Sequence, residues 1–237
     1  MLRVDLHRKN RESYGTRQRG LSLVELMVGI AVGLFVVAGA SLVVSTQLGD
    51  NRRLLLETQL QQDLRAAMDI VTREIRRAGA HDQSALTVWN PAPGAPPVIA
   101  NNFAAIDVTE DGDEIVLRYR RGPGQEGPYG FKVEDEKLKS LIGGNWQELT
   151  DPAVMRVTGF TVTPEVVAST VVPCPRECSG GGTACWPTLT VRDYKVDISA
   201  ASQSDAAVQR SMRTRVRVRN DWLAFNDAAH PGDVCPQ

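Results

Sequence analysis

Residues 19–48 read RGLSLVELMVGIAVGLFVVAGASLVVSTQL, and this stretch decides the architecture. From Leu26 to Leu48 there are 23 residues without a charge. At ~1.5 Å per residue a helix of that length reaches about 35 Å, enough to cross a hydrocarbon core of ~30 Å. The apolar region of a secretory signal is usually only ~7–15 residues and ends at a small-x-small site. Ala38-Gly39-Ala40 imitates such a site, but the apolar run resumes after it. The segment is therefore read as membrane-spanning rather than as an ordinary cleaved signal. Gly29 and Gly33 form a GxxxG on one helix face, a spacing that allows close helix packing but is also common in any membrane helix.

Outward from this run, the flanks differ. Residues 1–20 hold six basic residues and two acidic ones, a net of +4, which leaves −5 on the remaining 217. A basic head before an apolar span and a neutral segment after it put residues 1–19 in the cytoplasm and the body outside. The formal net charge of the 237-residue chain is −1, which argues against a dedicated nucleic-acid binder. Hydrophobic residues at 42% supply a core, so disorder is not expected. Glu25 stands at the start of the apolar run. A carboxylate in or beside lipid is costly and invites a functional reading; a place among solvated headgroups is the plain alternative.

The apolar pattern continues past the span. Leu56, Leu60, Leu64, Met68, Val71, Ile75 and Ala78 recur at spacings of three and four, one face of a helix. Arg52, Arg65, Asp69, Arg73 and Arg76 fall on the other face, with Arg65/Asp69 and Asp69/Arg73 at i,i+4 spacing. No proline occurs between Leu21 and Ala80, and Gly79 is a natural stop. The expectation is one helix of about 55–60 residues, its second half lying on the rest of the chain.

Arg19-Gly20-Leu21-Ser22-Leu23-Val24-Glu25-Leu26-Met27-Val28 resembles the prepilin signal of the type IV pilin superfamily. Residues 60–79, LQQDLRAAMDIVTREIRRAG, resemble the segment after the membrane helix of PilW-type minor pilins, and residues 213–220, RTRVRVRN, resemble their last strand. The J-type minor pseudopilin of type II secretion shares much of this pattern. The resemblance implies cleavage after Gly20 by a prepilin peptidase and N-methylation of Leu21. Leu21 departs from the usual phenylalanine, the 20-residue leader is long, and the helix lacks the proline that often bends pilin helices.

Physical chemistry gives Glu25 a role in that setting. Cleavage after Gly20 exposes a cationic amine at Leu21. A carboxylate four residues along can meet the amine of a neighbouring subunit. Each charge alone is badly placed in an apolar filament core; paired, they offset each other's desolvation and set the axial register.

The body is read as β-rich. Residues 90–102, NPAPGAPPVIANN, hold four prolines and form a loop. Residues 105–109 and 114–120 read as a hairpin around Asp111-Gly112, with Ile115, Leu117 and Tyr119 on one side. Its acidic cluster does not fit an EF-hand, because with Asp107 first Arg118 falls where the bidentate Glu belongs. Residues 137–149 hold a second turn at Gly143-Gly144-Asn145, and residues 154–166 are β-rich. Residues 189–199 and 208–220 read as two long antiparallel strands that pair with apolar faces together. Arg213, Arg215, Arg217 and Arg219 then share the outer face with Asp193, Lys195 and Asp197. That arginine row is read as a paired, solvated face rather than a DNA-binding one, since no aromatics interleave it.

Three of four cysteines, Cys174, Cys178 and Cys185, sit in a Pro/Gly-rich insertion at 168–187; Cys235 is near the C-terminus. C-x₃-C-x₆-C with a distant fourth is a poor zinc pattern, and the topology puts the body in an oxidising space. Two disulfides are expected, three pairings remain open, and one bridge ties the C-terminal tail to the insertion. Three histidines, His7, His81 and His230, stand far apart without a catalytic motif, so neither an enzyme nor a metal or cofactor is expected.

The expected fold is α+β, a long N-terminal helix packed on an antiparallel β-sheet, pilin-like. The parts are a cleaved leader at 1–20, a transmembrane assembly helix at 21–48, its amphipathic half at 49–80 and an extracytoplasmic body at 81–237. The resemblance implies a minor pilin that primes or caps a type IV pilus near its tip and serves adhesion, twitching or DNA uptake. Its implied partners are prepilin peptidase, other minor pilins, the major pilin and the inner-membrane assembly platform, with a tip adhesin allowed. A J-type minor pseudopilin is the alternative, and a membrane-anchored extracytoplasmic binding protein the next.

Overall fold

The computed structural model describes residues 20–87, 101–178 and 180–224. The leader up to residue 19, most of the proline-rich loop at 90–102, His230 and Cys235 lie outside the described residues. By packing, the chain divides into two units, one ending at Asn51 and one beginning at Arg52.

Helix α1 runs Leu23–Arg77, 55 residues, as the periodicity and the absence of proline require. In the first unit every described residue is exposed; Phe35, for example, is 80% exposed. This stretch is long and apolar enough to cross a membrane. In the second unit the same helix is amphipathic. Leu60, Leu64, Met68, Val71, Ile75 and Ala78 are buried, while Arg52, Arg65, Asp69, Arg73 and Arg76 stay exposed. The i,i+4 spacing of Asp69 with Arg65 and Arg73 does not become an ion pair: neither pair forms among the described residues.

Two antiparallel sheets meet this helix. The first orders its strands in sequence: β1 (Ile106–Val108), β2 (Glu114–Leu117), β3 (Tyr129–Glu134), β4 (Lys137–Ile142) and β5 (Asn145–Glu148). The β1–β2 hairpin turns at Gly112, and β4–β5 at Gly143-Gly144, as expected. Strand β3 has no counterpart among the strands expected from the sequence. In the second sheet β6 (Met155–Val171) pairs with β7 (Thr188–Ser202), and β7 pairs on its other side with β8 (Gln209–Arg217) and β9 (Trp222–Ala224). Because β6 continues to Val171, the loop carrying the cysteines spans residues 172–187. The β7–β8 register places Asp197 opposite Arg213, Lys195 opposite Arg215 and Asp193 opposite Arg217, with Tyr194, Val196 and Ile198 on the buried face.

One core joins all three parts. Helix residues pack with Ile115, Leu117, Phe131 and Leu138 of the first sheet and with Val157, Val162, Val196, Ile198 and Val216 of the second. The last carbonyls of a helix have no partner within it. Here distant segments bond Arg76 of the last turn and the three residues that follow the helix. The Asn220 side chain donates to Ala78 O at 3.1 Å, and Asn101 donates to Gly79 O at 3.0 Å. The backbone N–H of Arg219 reaches Arg76 O at 3.1 Å and that of Arg120 reaches Ala80 O at 2.8 Å. The N–H of Gly79 in turn donates to Arg118 O at 2.9 Å.

Candidate functional site

The N-terminal end carries the residues singled out for processing and assembly. Gly20 and Leu21 are exposed and precede the helix. Ser22 is its N-cap: its carbonyl accepts the first helical bond, from Leu26 N–H at 3.1 Å. Counting from that cap, Glu25 is the third helical residue, so Ser22-x-x-Glu25 has the spacing of a capping box, and its carboxylate sits in the first turn where the helix dipole favours a negative charge. Glu25 is exposed and has no ion-pair partner among the described residues. The same carboxylate thus stabilises the helix start and remains available to a cation from another molecule.

The other end of α1 is held by a buried polar cluster that sequence reasoning missed. Glu74 is 7% exposed. Its Oε2 accepts the Tyr119 hydroxyl and, at 3.0 Å, Arg121 Nη2; its Oε1 accepts Arg77 Nη1 at 3.3 Å. Arg121 Nε donates to the Tyr119 oxygen at 2.7 Å, and the guanidinium lies 4.4 Å from the centroid of the Tyr129 ring, which is stacked on Tyr119. Burial, helped by the Glu74 carboxylate, pushes the Tyr119 hydroxyl up to about 12. Burial works against the Arg121 charge, but its bonds to Tyr119 and Glu74 outweigh that and raise its affinity for the proton. A signal for this cluster was present: Glu74 falls three residues after Val71 and four before Ala78, on the apolar face. Within the second unit the cluster fastens the helix to the first sheet, because Tyr119 and Arg121 follow β2 and Tyr129 opens β3.

Among the cysteines, Cys178 and Cys185 form a disulfide, with Cα atoms 5.8 Å apart. Cys174 is also disulfide-bonded, and no described cysteine is free. The arginine row is paired at three of its four positions, but only Arg213 takes an expected β7 carboxylate as its close partner. Arg213 bonds Asp197, Arg215 bonds Glu165, and Arg217 bonds Asp221 at 2.9 Å. Arg219 has no ion-pair partner among the described residues.

A long apolar N-terminal helix that becomes amphipathic and packs on antiparallel sheets, preceded by Gly-Leu-Ser and carrying Glu25, defines a pilin-like chain of the prepilin class. Comparison with known families agrees: the prokaryotic N-terminal methylation motif matches residues 15–41. The family described as prepilin peptidase-dependent protein B matches residues 53–218, and the chain belongs to it. No curated protein and no solved structure matches the chain.

Proposed function

We propose that this chain is a minor pilin, a structural subunit that primes or caps a type IV pilus near its tip. The observation that carries the reading is the division of labour along α1. Its first 33 described residues, Leu23–Leu55, bury nothing in the single chain, whereas the remainder is sealed into the body. A fully exposed apolar helix has a partner elsewhere, first lipid and then the helices of neighbouring subunits. In this reading prepilin peptidase cuts after Gly20 and Leu21 is methylated. Glu25 then meets the Leu21 amine of a neighbouring subunit. The disulfide-bonded body stands on the periplasmic side before it enters the filament, alongside other minor pilins and the major pilin. Its disulfides support that oxidising location.

The test has two stages. Mass and N-terminal sequence of the protein from cells with and without prepilin peptidase should show a methylated Leu21 terminus only in the first. Glu25→Gln should then lower recovery of the chain in sheared pili by about tenfold or more, the scale of removing one charge-assisted hydrogen bond from an apolar core. Unchanged recovery of Glu25→Gln would sink the charge-pairing role. Loss of secretion with normal piliation in a deletion strain would instead assign the chain to a pseudopilus.

A further inference from the structure

We propose that the outer edge of β8 is a docking site for an extended acidic segment of a partner protein, which adds to the second sheet as a further strand. This inference rests on the second unit alone and does not depend on which filament incorporates the chain.

The backbone comes first. Residues facing each other across an antiparallel pair exchange both bonds or neither, in alternation. Val218 N–H donates to Arg192 O at 3.1 Å, and Ser202 N–H donates to Val208 O at 2.9 Å. Both bonds lie in the β7–β8 register, so the even-numbered residues of β8 point their N–H and C=O groups at β7. Ser211, Arg213, Arg215 and Arg217 therefore point theirs away from the sheet. Among the described residues none of these groups meets another backbone group.

The opposite edge of the same sheet shows what a closed edge looks like here. On β6, Val157 N–H is taken by Glu136 O at 2.7 Å, and Val162 N–H by Gly112 O at 2.8 Å. Pro164, at the next outward position, has no N–H to offer. Strand β6 is blunted at successive points; β8 is not.

Charge then selects the occupant. Arg213, Arg215 and Arg217 are 68%, 61% and 60% exposed on one side of the edge. On the other side, between β8 and α1, lie two open grooves of about 510 and 440 Å³. Seven arginines, Arg213 and Arg217 of the edge row among them, and one carboxylate, Asp69, line them. Four of the seven, Arg65, Arg73, Arg76 and Arg219, have no ion-pair partner among the described residues. An added strand alternates its side chains between the paired arginine row on one side and the cationic grooves on the other. Acidic residues suit the groove side, and small polar ones suit the side where Arg213, Arg215 and Arg217 are already paired. A second copy of β8 does not fit, because its own arginines would face this row, and like charges opposite one another are unfavourable.

The test uses the full-length chain in detergent micelles and a labelled peptide of five alternating Glu-Thr repeats. Binding should be salt-sensitive and should slow hydrogen exchange in residues 211–217, adding up to four protected amides. A probe of the same sequence with every backbone nitrogen methylated has no N–H on either edge, cannot complete the ladder and should bind about tenfold more weakly or worse. So should the Lys-Thr analogue, and so should the glutamate peptide with the double variant Arg73→Glu/Arg76→Glu. Ser211→Pro removes one outward N–H without touching a charge or the β7 ladder, and should weaken binding while leaving Tm within a few degrees. Equal binding of the methylated probe, or binding without protection of 211–217, would overturn strand addition. Duplex DNA that binds and displaces the peptide at lower concentration would reassign the face to nucleic acid and overturn the proposal equally.

Discussion

Glu74 and Tyr119 are the residues on which the hold between α1 and the first sheet turns. Removing one partner of a buried charged network leaves the others desolvated and unmatched. Glu74→Ala is expected to lower the stability of the body by roughly 2–4 kcal/mol, less than a fully buried pair because Arg121 retains some water. Chemical denaturation of the two proteins side by side measures it, and a loss under about 0.5 kcal/mol, within ordinary surface effects, would contradict the account. The phenol adds a pH dependence. Its proton affinity is higher folded than unfolded, about 12 against 10.0. Its stabilising share is therefore complete below pH 10 and lost as pH climbs from 10 towards 12. Tyr119→Phe should flatten that part of the Tm-against-pH curve, and a spectroscopic titration should lose its latest-ionising tyrosine. At the N-terminus, Glu25 stood out because an uncharged run makes a lone carboxylate conspicuous, whereas Gly20 and Leu21 entered only through the resemblance to the prepilin signal. Glu74 did not stand out, because its neighbourhood is full of charges and only its phase on the helix betrays it.

At the scale of elements, what local pattern determines was legible and what close approach determines was not. The long helix, the two Gly-centred hairpins and the β7–β8 pair each follow from periodicity or turn chemistry. Strand β3 escaped notice because it follows the Pro/Gly-rich residues 121–128 and contains Gly130, which weakens a strand pattern. That glycine has a reason: a Cβ there would sit 2.5 Å from Ile115 O on the neighbouring strand. Gly112 is the more informative position. It has φ of +74°, its carbonyl caps Val162 on β6, and an added Cβ would lie 2.7 Å from Val162 O. Gly112→Ala combines left-handed strain with a clash at the junction of the two sheets and should cost roughly 2–3 kcal/mol. Thermal unfolding checks it, and the same substitution at Gly144, with open space around it, should cost less.

At the scale of the whole molecule, residues 1–20 carry a net +4 and residues 21–237 a net −5, so the cationic face beside β8 belongs to an otherwise acidic stretch of chain. The cysteines act at this scale too. With Cys178 joined to Cys185 and Cys174 also bonded, the only cysteine left in the sequence is Cys235. Peptide mapping without reductant should give Cys178–Cys185 and Cys174–Cys235. Opening the first, a loop of about eight residues, should cost at most about 2.5 kcal/mol on the chain-entropy account; opening the second, about 62 residues, should cost about 4 kcal/mol. Comparable destabilisation by the two Cys→Ser pairs would argue against it. The pairing was beyond the sequence because spacing alone does not say which sulfur faces which.

The ring of bonds around the C-terminal end of α1 has a mechanical meaning. Asn101, Arg120, Arg219 and Asn220 grip that terminus from separate places along the chain. In the proposed filament, tension would load each subunit along its helix, and the load would arrive at this grip. Bonds arranged around one terminus share a pull in parallel, so they resist together until they fail together. Rupture under force is set by the unfolding barrier rather than by equilibrium stability. In that setting the grip would protect the fold against being drawn out by the filament, a duty that a bulk melting temperature does not record.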